Sequence, residues 1–326
     1  MKNMAIEASA VVMIIIVCWI VILVLDAVVC GVVSLLAGVG FRKAFLWGLL
    51  AMVLPPLFML YGALVGRNLF EVKEVEIAFD NLPESFDGYR IVHISDIHAR
   101  SFTGREEQLE KAVDIINELG PDMIAFTGDL ITLSPDELDT TAPVLGNLKA
   151  ADGVISVLGN HDYCIYGDAS PETTAADLDT LTGREREMGW NLLLNENIII
   201  SRGADSIAII GVENTSPSRH FPSKGELGKA SEGTEGMFRI VLSHDPMHWE
   251  SEILGRDYPL TLSGHTHAMQ LSLLGWTPGS LMFRQSRGAY SEGAQHLYVN
   301  IGLGETIIPC RIGARPEITL ITLRKQ

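Results

Sequence analysis

The sequence predicts an α/β domain of two sheets flanked by helices, preceded by a hairpin of two transmembrane helices. Five short polar motifs each follow a strand-like apolar run, and two longer apolar runs lie near the N-terminus. The first three motifs are spaced by about thirty residues, the length of one strand–helix–strand unit. We therefore divide the chain into a membrane anchor, residues 1–70, and a folded domain, residues 71–326.

The two N-terminal apolar runs are long enough to cross a membrane. They extend from Val11 to Gly31 and from Ala44 to Val65, and a helix needs about 20 apolar residues to cross a hydrocarbon core. A cleaved signal peptide is the alternative, but no small-residue cleavage site follows the first run. Pro55 and Pro56 should kink the second helix. We predict a membrane protein with two spans, and its balanced flanking charges do not decide the side of the domain.

Composition narrows the range of partners. The formal net charge is −16, and no basic stripe could displace counterions from a nucleic acid backbone. Nucleic acid is therefore not expected as a partner. The four cysteines show no C-x-x-C spacing, which favours neither a disulfide framework nor a zinc ribbon.

The first three motifs end the strands of one predicted sheet. Strands are expected at Arg90–Ile94, Met123–Phe126 and Val154–Leu158. Apolar residues at helical spacing predict a helix over Glu106–Leu119. A capping box with proline at the first helical position predicts another helix beginning near Ser134. Parallel strands bring their carboxyl ends to one edge of a sheet, so the motifs should converge there.

The sequence of the remaining part of the domain predicts a helix, a loop and further strands. The helix is expected over Pro171–Met188, and the polar segment Thr215–Gly236 is expected to be a mobile surface loop. A second sheet opens with the strands after this helix. The strands that open it are expected at Asn197–Ile200 and Ile207–Val212. Further strands are predicted at Phe238–Leu242, Leu260–Leu262, Leu297–Asn300 and Ile318–Leu323.

The five motifs contain oxygen and imidazole ligands for two divalent metal ions. In chain order they are Ser95-Asp96-Ile97-His98, Thr127-Gly128-Asp129, Gly159-Asn160-His161-Asp162, Ser243-His244-Asp245 and Gly264-His265-Thr266-His267. Carboxylate, amide and imidazole ligands suit manganese, iron, zinc or a similar ion. Two such ions with shared ligands hydrolyse phosphate esters. Each motif alone is a weak signal, whereas the ordered set is specific.

In this order the motifs resemble the D-x-H, G-D, G-N-H-D, H and G-H-x-H blocks of the calcineurin-like metallophosphoesterase superfamily. The resemblance extends from about Tyr89 to Gly304. It implies a four-layer α/β-β/α sandwich of two mixed sheets with a dinuclear metal centre at one end. The implied ligands of the first metal are Asp96, His98 and His267, and those of the second are Asn160, His244 and His265.

The same resemblance implies the remaining roles at the site. Asp129 would bridge both metals, His161 would face the substrate, and Asp162 would orient the ring of His161. A metal-bound hydroxide would attack the phosphorus, while His161 would protonate the leaving oxygen. The implied activity is that of a metal-dependent phosphoric ester hydrolase that cleaves a phosphodiester or pyrophosphate bond.

The anchor and the motifs together look most like the bacterial membrane-associated branch that includes phosphodiesterases and UDP-2,3-diacylglucosamine hydrolases. A lipid-linked substrate is therefore favoured. One alternative is an enzyme for soluble nucleotides or small phosphate esters, with the anchor serving only location. Another is a non-catalytic membrane scaffold, which would be free to lose ligands that this chain retains.

Three further features of the sequence concern residues near the predicted metal ligands. His93 lies inside a strand and is expected in the core, whereas His248 and Trp249 could line a pocket or simply pack. Many relatives carry two glycines after the last motif, where this chain has Ala268-Met269. This departure leaves the ligands in place and bears on substrate specificity, because the adjacent loop is expected to be less open.

Overall fold

The computed structural model of the protein describes residues 2–38, 40–167 and 170–326, which form two compact units. The first unit is the chain up to Arg67 together with residues 307–312. The second unit consists of Asn68–Thr306 and Gly313–Gln326.

The first unit is built from apolar helices. They are α1 (Lys2–Ala37), α2 (Phe41–Gly48) and α3 (Leu54–Leu64), with a 3₁₀ segment at Leu49–Val53. Two stretches, Val11–Leu36 and Phe41–Asn68, are long and apolar enough to cross a membrane. The second stretch changes helix type just before Pro55 and Pro56, where the kink is predicted, because proline cannot donate the backbone hydrogen bond of a continuous helix.

The first sheet of the second unit has six strands. Its spatial order is β1, β12, β2, β3, β4, β5, and β12 is antiparallel to β2 while the other pairs are parallel. The strands are β1 (Glu71–Phe79), β2 (Arg90–Ile94), β3 (Met123–Phe126), β4 (Val154–Ser156), β5 (Asn191–Leu192) and β12 (Glu317–Lys325).

The second sheet also has six strands, in the order β10, β11, β9, β8, β7, β6. Its two outer pairs are antiparallel and its inner pairs are parallel, so both sheets are mixed as predicted. The strands are β6 (Glu196–Arg202), β7 (Asp205–Gly211), β8 (Phe238–Leu242), β9 (Leu260–Ser263), β10 (Gly288–Glu292) and β11 (Gln295–Val299).

Side-chain alternation along the strands produces the layers. Ile91 of β2 packs with Ile240 of β8 and Leu262 of β9 in the core between the two sheets. Its neighbour Val92 points the other way and packs with Leu109 in a separate core against helices. Because successive strand residues face opposite sides, strands covered on both faces appear as continuous apolar runs. The predicted sandwich of two sheets flanked by helices is confirmed.

Helices of the second unit lie where the pattern predicts them, with small differences at their ends. The capping box at Ser134 forms, but a 3₁₀ turn at Pro135–Glu137 precedes the helix it starts. The segment predicted to be a surface loop contains a short helix whose Leu227 and Ala230 are buried. The helices are α4 (Glu106–Glu118), α5 (Leu138–Leu145), α6 (Pro171–Glu187) and α7 (Leu227–Ala230).

Candidate metal centre

The five motifs meet at the carboxyl ends of the strands that precede them. The backbone N–H of Asp96, after β2, donates to the carbonyl of Gly128, after β3, at 2.9 Å. Across the two sheets, the N–H of His265 donates to the Asp96 carboxylate at 3.0 Å. Residues separated by up to 169 positions are thereby brought into contact. The convergence predicted from strand topology is present in the structure.

One group of three side chains could hold a metal ion between the sheets. Asp96, His98 and His267 each offer a ligand atom within 4.8 Å of the others, and all three are buried. The Nε2 atom of His267 lies 3.2 Å from Oδ1 of Asp96 and 3.1 Å from Nε2 of His98. Two imidazole nitrogens facing each other beside a carboxylate form a donor set that suits a transition metal ion.

A second such group consists of Asp129, His244 and His265. Nε2 of His244 lies 3.2 Å from Oδ2 of Asp129 and 3.2 Å from Nδ1 of His265. Asn160 adds an amide oxygen, because its Nδ2 donates to the Tyr166 hydroxyl at 2.9 Å while its buried Oδ1 accepts no hydrogen bond from the described residues. Buried polar atoms are rarely left without a partner, so this oxygen is available as a ligand.

Asp129 connects the two groups. The same Oδ2 atom lies 3.2 Å from Nε2 of His244 and 3.6 Å from Nε2 of His98. Its other oxygen, Oδ1, accepts the backbone N–H of His161 at 2.8 Å. A carboxylate between two sets of imidazoles can neutralise part of the charge of two neighbouring cations.

Groups behind the imidazoles decide which ring nitrogen faces the centre. Nδ1 of His244 donates to the backbone carbonyl of Thr127 at 2.7 Å, so its Nε2 is directed at Asp129. Nδ1 of His98 lies 3.3 Å from Oγ1 of Thr132, and its Nε2 faces His267. Such outer contacts hold a histidine in the tautomer and orientation that a metal ion requires.

The electrostatics of the cluster keep the carboxylates ionised. Burial raises the pKa of Asp129, but the imidazoles around it outweigh burial and hold that pKa well below its ordinary value. Burial also lowers the pKa of His98, which favours its neutral form. For His244 the effect of burial is outweighed by Asp129, which raises the pKa to about 10. An ionised carboxylate and a neutral imidazole are the forms that bind metal, so binding at His244 would release a proton.

The backbone at these residues is strained. Left-handed φ angles are uncommon outside glycine and cluster at functional sites. They occur here at five of the predicted ligands, namely Asp96 (49°), His98 (43°), Asp129 (59°), His265 (74°) and His267 (49°). A methyl group at Gly159 would collide with the carboxylate and backbone nitrogen of Asp129, so only glycine fits at this first position of the third motif.

His161 lies at the edge of the cluster and is less buried than Asp129 or Asp162. Its Nδ1 donates to the backbone carbonyl of Thr132 at 2.8 Å, and its ring packs edge-on against His98 with the centroids 4.9 Å apart. Nε2 is consequently the ring nitrogen not engaged by this bond, and His161 forms with His98 and Asp129 a third group that could hold a metal ion. The expectation that Asp162 orients this ring is corrected, because a carbonyl oxygen has that function.

The Asp162 carboxylate instead binds backbone groups. It accepts N–H donors from Asp129 and Leu130, each at 2.8 Å, and from Ile131 at 3.2 Å. A fourth donor is the N–H of Gly159 at 2.8 Å. Asp162 therefore fixes the loop that carries Asp129, and among the described residues no hydrogen bond joins its carboxylate to the His161 ring.

Three aromatic residues near the cluster are absent from the sequence prediction. The ring centroid of Tyr166 lies 4.4 Å from that of His161, while Phe221 and Phe283 contact the ring of His265 at 4.8 and 5.5 Å. Tyr166 lies five residues after His161, and this short separation is a signal that could have identified it. Phe221 belongs to the segment interpreted as a mobile loop, so no pattern pointed to it.

The other histidines named from the sequence pack in the interior. His93 is buried in β2 with its Nε2 2.9 Å from Oγ1 of Thr127, and burial lowers its pKa to about 3. Nδ1 of His248 lies 2.8 Å from the Ser243 hydroxyl, and its Nε2 lies 3.1 Å from the Glu252 carboxylate. His248 therefore packs in the interior and does not line a pocket. The core assignment of His93 is confirmed.

Ala268 and Met269 occupy positions whose backbone conformation suits glycine. Both residues adopt left-handed φ angles, 50° and 48°, which glycine reaches without steric cost. Ala268 is buried, whereas 47% of Met269 is exposed. Compared with glycine, Met269 adds an exposed apolar side chain two residues after His267, at the cost of backbone strain.

Comparison with known proteins agrees with this site. The family model described as calcineurin-like phosphoesterase matches residues 89–269. The chain is 32% identical over 275 residues to the uncharacterized metallophosphoesterase YkuE of Bacillus subtilis, with 81% of this chain and 89% of that protein covered. The chain therefore belongs to the calcineurin-like phosphoesterase family and is a metal-dependent phosphoesterase.

Two further proteins are similar to the chain. A transmembrane protein with metallophosphoesterase domain from Danio rerio is 33% identical over 285 residues, covering 85% of this chain and 62% of that protein, so the chain spans less than two thirds of its length. A solved dimetal phosphatase from Danio rerio has a TM-score of 0.41 and 13% identity, with 68% of this chain and 89% of that chain covered.

Proposed function

We propose that the chain holds two divalent metal ions through the seven residues predicted from the sequence. Asp96, His98 and His267 would hold one ion, and Asn160, His244 and His265 the other. Asp129 would serve both. The observation that carries this proposal is the position of Asp129 Oδ2, 3.2 Å from one imidazole and 3.6 Å from another in separate ligand groups.

Two bound ions supply positive charge for the phosphate oxygens and a water of lowered pKa. The side chains of the protein would bind the substrate and donate the proton. Because Nδ1 of His161 donates to Thr132, Nε2 is the nitrogen that binds a phosphate oxygen and, when protonated, gives its proton to the leaving oxygen. Tyr166 packs against the His161 ring and limits its rotation.

The proposed substrate is a phosphodiester or pyrophosphate carried by a lipid. Two apolar helices long enough to cross a membrane and a relative named as a transmembrane protein support a membrane location. An enzyme confined to a membrane meets a substrate in the same membrane at a raised effective concentration, which a soluble nucleotide would not experience.

A substrate panel tests the reaction and the substrate class. Full-length protein in detergent, loaded separately with manganese, iron or zinc, would be assayed on phosphomonoesters, phosphodiesters and pyrophosphates with and without lipid tails. We expect hydrolysis of the lipid-linked diester or pyrophosphate with the highest kcat/KM, and none by Asp129→Ala. Preference for nucleotides or small esters would support the soluble-substrate alternative, and inactivity on every ester would support a scaffold.

A truncated chain tests the role of the apolar helices. A protein that begins at Glu71, the first residue of β1, should retain activity on a small chromogenic phosphodiester. It should lose efficiency on a lipid-linked substrate presented in vesicles. Equal efficiency of the two proteins on vesicles would mean that the helices do not provide access to the substrate.

A further inference from the structure

The segment Met269–Met282, here called the apolar loop, exposes six large apolar side chains directly after the last metal-binding motif. In the described part of the second unit, only four other large apolar residues are exposed, each by less than half. Leu274 is fully exposed and Leu281 is 77% exposed. The six residues are Met269, Leu273, Leu274, Trp276, Leu281 and Met282.

The apolar loop has a defined backbone. Leu273 and Trp276 exchange two backbone hydrogen bonds, at 2.9 and 3.0 Å, around a turn formed by Leu274 and Gly275. Thr277 is buried and its hydroxyl donates to the carbonyl of Ala268, which fastens the base of the loop. Leu273, Leu274 and Trp276 are therefore presented by a hydrogen-bonded hairpin.

Leu274 is an unfavourable residue for its position in water. Its φ angle is 49° and that of Gly275 is 90°, and a two-residue turn with two positive φ angles favours Asn-Gly. A leucine at this position is therefore destabilising for two reasons: its backbone is in a left-handed conformation, and its apolar side chain is exposed to water. Residues that break local rules in this way are expected where they have a function.

The apolar loop borders the metal cluster. It begins two residues after His267 and ends one residue before Phe283, whose ring contacts His265 at 5.5 Å between centroids. A membrane or molecule bound to the loop would consequently be close to the residues that the proposed function assigns as metal ligands.

The charge pattern along the chain segment that contains the apolar loop differs from that of the whole chain. The formal net charge of the chain is −16, yet no aspartate or glutamate occurs between Tyr258 and Ser291. The charged residues in that interval are Arg284, which pairs with Glu250 at 2.7 Å, and Arg287, which donates to the Ser272 hydroxyl at 2.9 Å. No carboxylate on this segment would be desolvated by, or repelled from, an anionic lipid surface.

We propose that the apolar loop inserts into the interface of a lipid bilayer and thereby presents the metal centre to phosphate esters in that bilayer. Exposed leucines with a tryptophan are suited to the boundary between headgroups and acyl chains. A bilayer is favoured over a protein partner because the same chain has two helices able to cross one, and β1 begins four residues after Arg67. The insertion itself is independent of the proposed function, and its catalytic consequence rests on that function.

The first test places a fluorescent probe on the loop of the full-length protein. Leu274→Cys and Ile199→Cys would each be labelled with an NBD group and reconstituted in vesicles of phosphatidylcholine and phosphatidylglycerol containing a nitroxide-labelled lipid. Ile199 is a matched control, because it is 47% exposed on β6, at the opposite edge of the second sheet from β10. The signal of labelled protein without the added cysteine would be subtracted.

The probe at position 274 should be quenched by about half or more by a nitroxide on the acyl chain, and the probe at 199 should not. Equal quenching at the two positions, or none at 274, would overturn the proposal. A blue-shifted probe at 274 that the nitroxide lipid does not quench would also overturn it, and would indicate that a second copy or a peptide covers the loop.

The second test measures hydrolysis. Leu274→Glu combined with Leu281→Glu should lower activity on a 4-nitrophenyl phospholipid in vesicles by at least about tenfold relative to bis-4-nitrophenyl phosphate in solution. Ile199→Glu should leave that ratio unchanged. An unchanged ratio in the loop variant would overturn the catalytic consequence. Quenching at 274 without hydrolysis of either ester would support insertion and refute the proposed function instead.

Discussion

The carboxylate of Asp162 accepts the backbone N–H of Asp129 at 2.8 Å, although the two residues are 33 positions apart. Three more N–H groups, of Leu130, Ile131 and Gly159, donate to the same carboxylate. A buried acid thus holds together the loops after β3 and β4. The left-handed backbone of Asp129, with φ 59°, is stabilised by this contact.

This contact predicts that Asp162 acts on stability and metal binding. Asp162→Asn places an amide among four N–H donors, and each buried donor left without an acceptor costs about 1–3 kcal/mol. We expect a lower apparent Tm and weaker metal retention, measured by thermal denaturation in detergent and by elemental analysis. A variant with normal Tm and metal content but slow turnover would restore the role of orienting His161.

Removal of Asp129 should empty both metal positions. Because its Oδ2 faces imidazoles of both ligand groups, Asp129→Ala should lose most of about two metal equivalents per chain. Asp257→Ala, at an exposed aspartate paired with Arg239, is the control and should keep both. Full occupancy in Asp129→Ala, measured by elemental analysis, would exclude the bridging assignment.

His161 should affect turnover and leave metal content unchanged. Its Nδ1 is held by the Thr132 carbonyl, so removal of the ring takes away a positioned proton donor and should slow kcat by about 10² to 10⁴. His220→Ala, at an exposed histidine, should turn over normally. If His161→Ala loses metal in proportion to activity, the residue is a ligand.

Glu185 should make stability depend on pH. It is fully buried in α6, the Ser156 hydroxyl donates to its Oε2 at 2.7 Å, and burial raises its pKa to about 8. The folded state therefore binds this proton more tightly than the unfolded state does, for which the ordinary value is 4.5. Stability from this group is complete below about pH 4.5 and is lost as the pH rises through about 8.

The matching experiment compares Glu185→Gln with the native protein by thermal denaturation at pH 5 and pH 9. The variant should be relatively more stable at pH 9, because it avoids burial of a charge. Glu187→Gln, on the exposed face of the same helix, should show no such change. A constant difference in apparent Tm between the two pH values would contradict the prediction.

The meeting of these candidate ligands was predictable because residue type and strand order determine it. Asp96, Asp129 and Asn160 follow three parallel strands of one sheet, and such strands must end at one edge. The edge strands were harder to predict. β1 mixes charged and apolar residues without strict alternation. It pairs with β12 at the far end of the chain, Glu71 opposite Glu317, and no local pattern indicates such a pairing.

The sequence by itself determined which side chains could bind metal and roughly where they would meet, since those properties reside in residue type and spacing. Only the tertiary structure decided which groups position them. The partners of Asp162 and of Nδ1 of His161 are backbone N–H and C=O groups, which every residue offers and no sequence distinguishes. The apolar loop shows the same dependence on tertiary structure. Leu274 and Trp276 are residue types that usually lie in a core, and their exposure is decided by neighbours that only the folded chain provides.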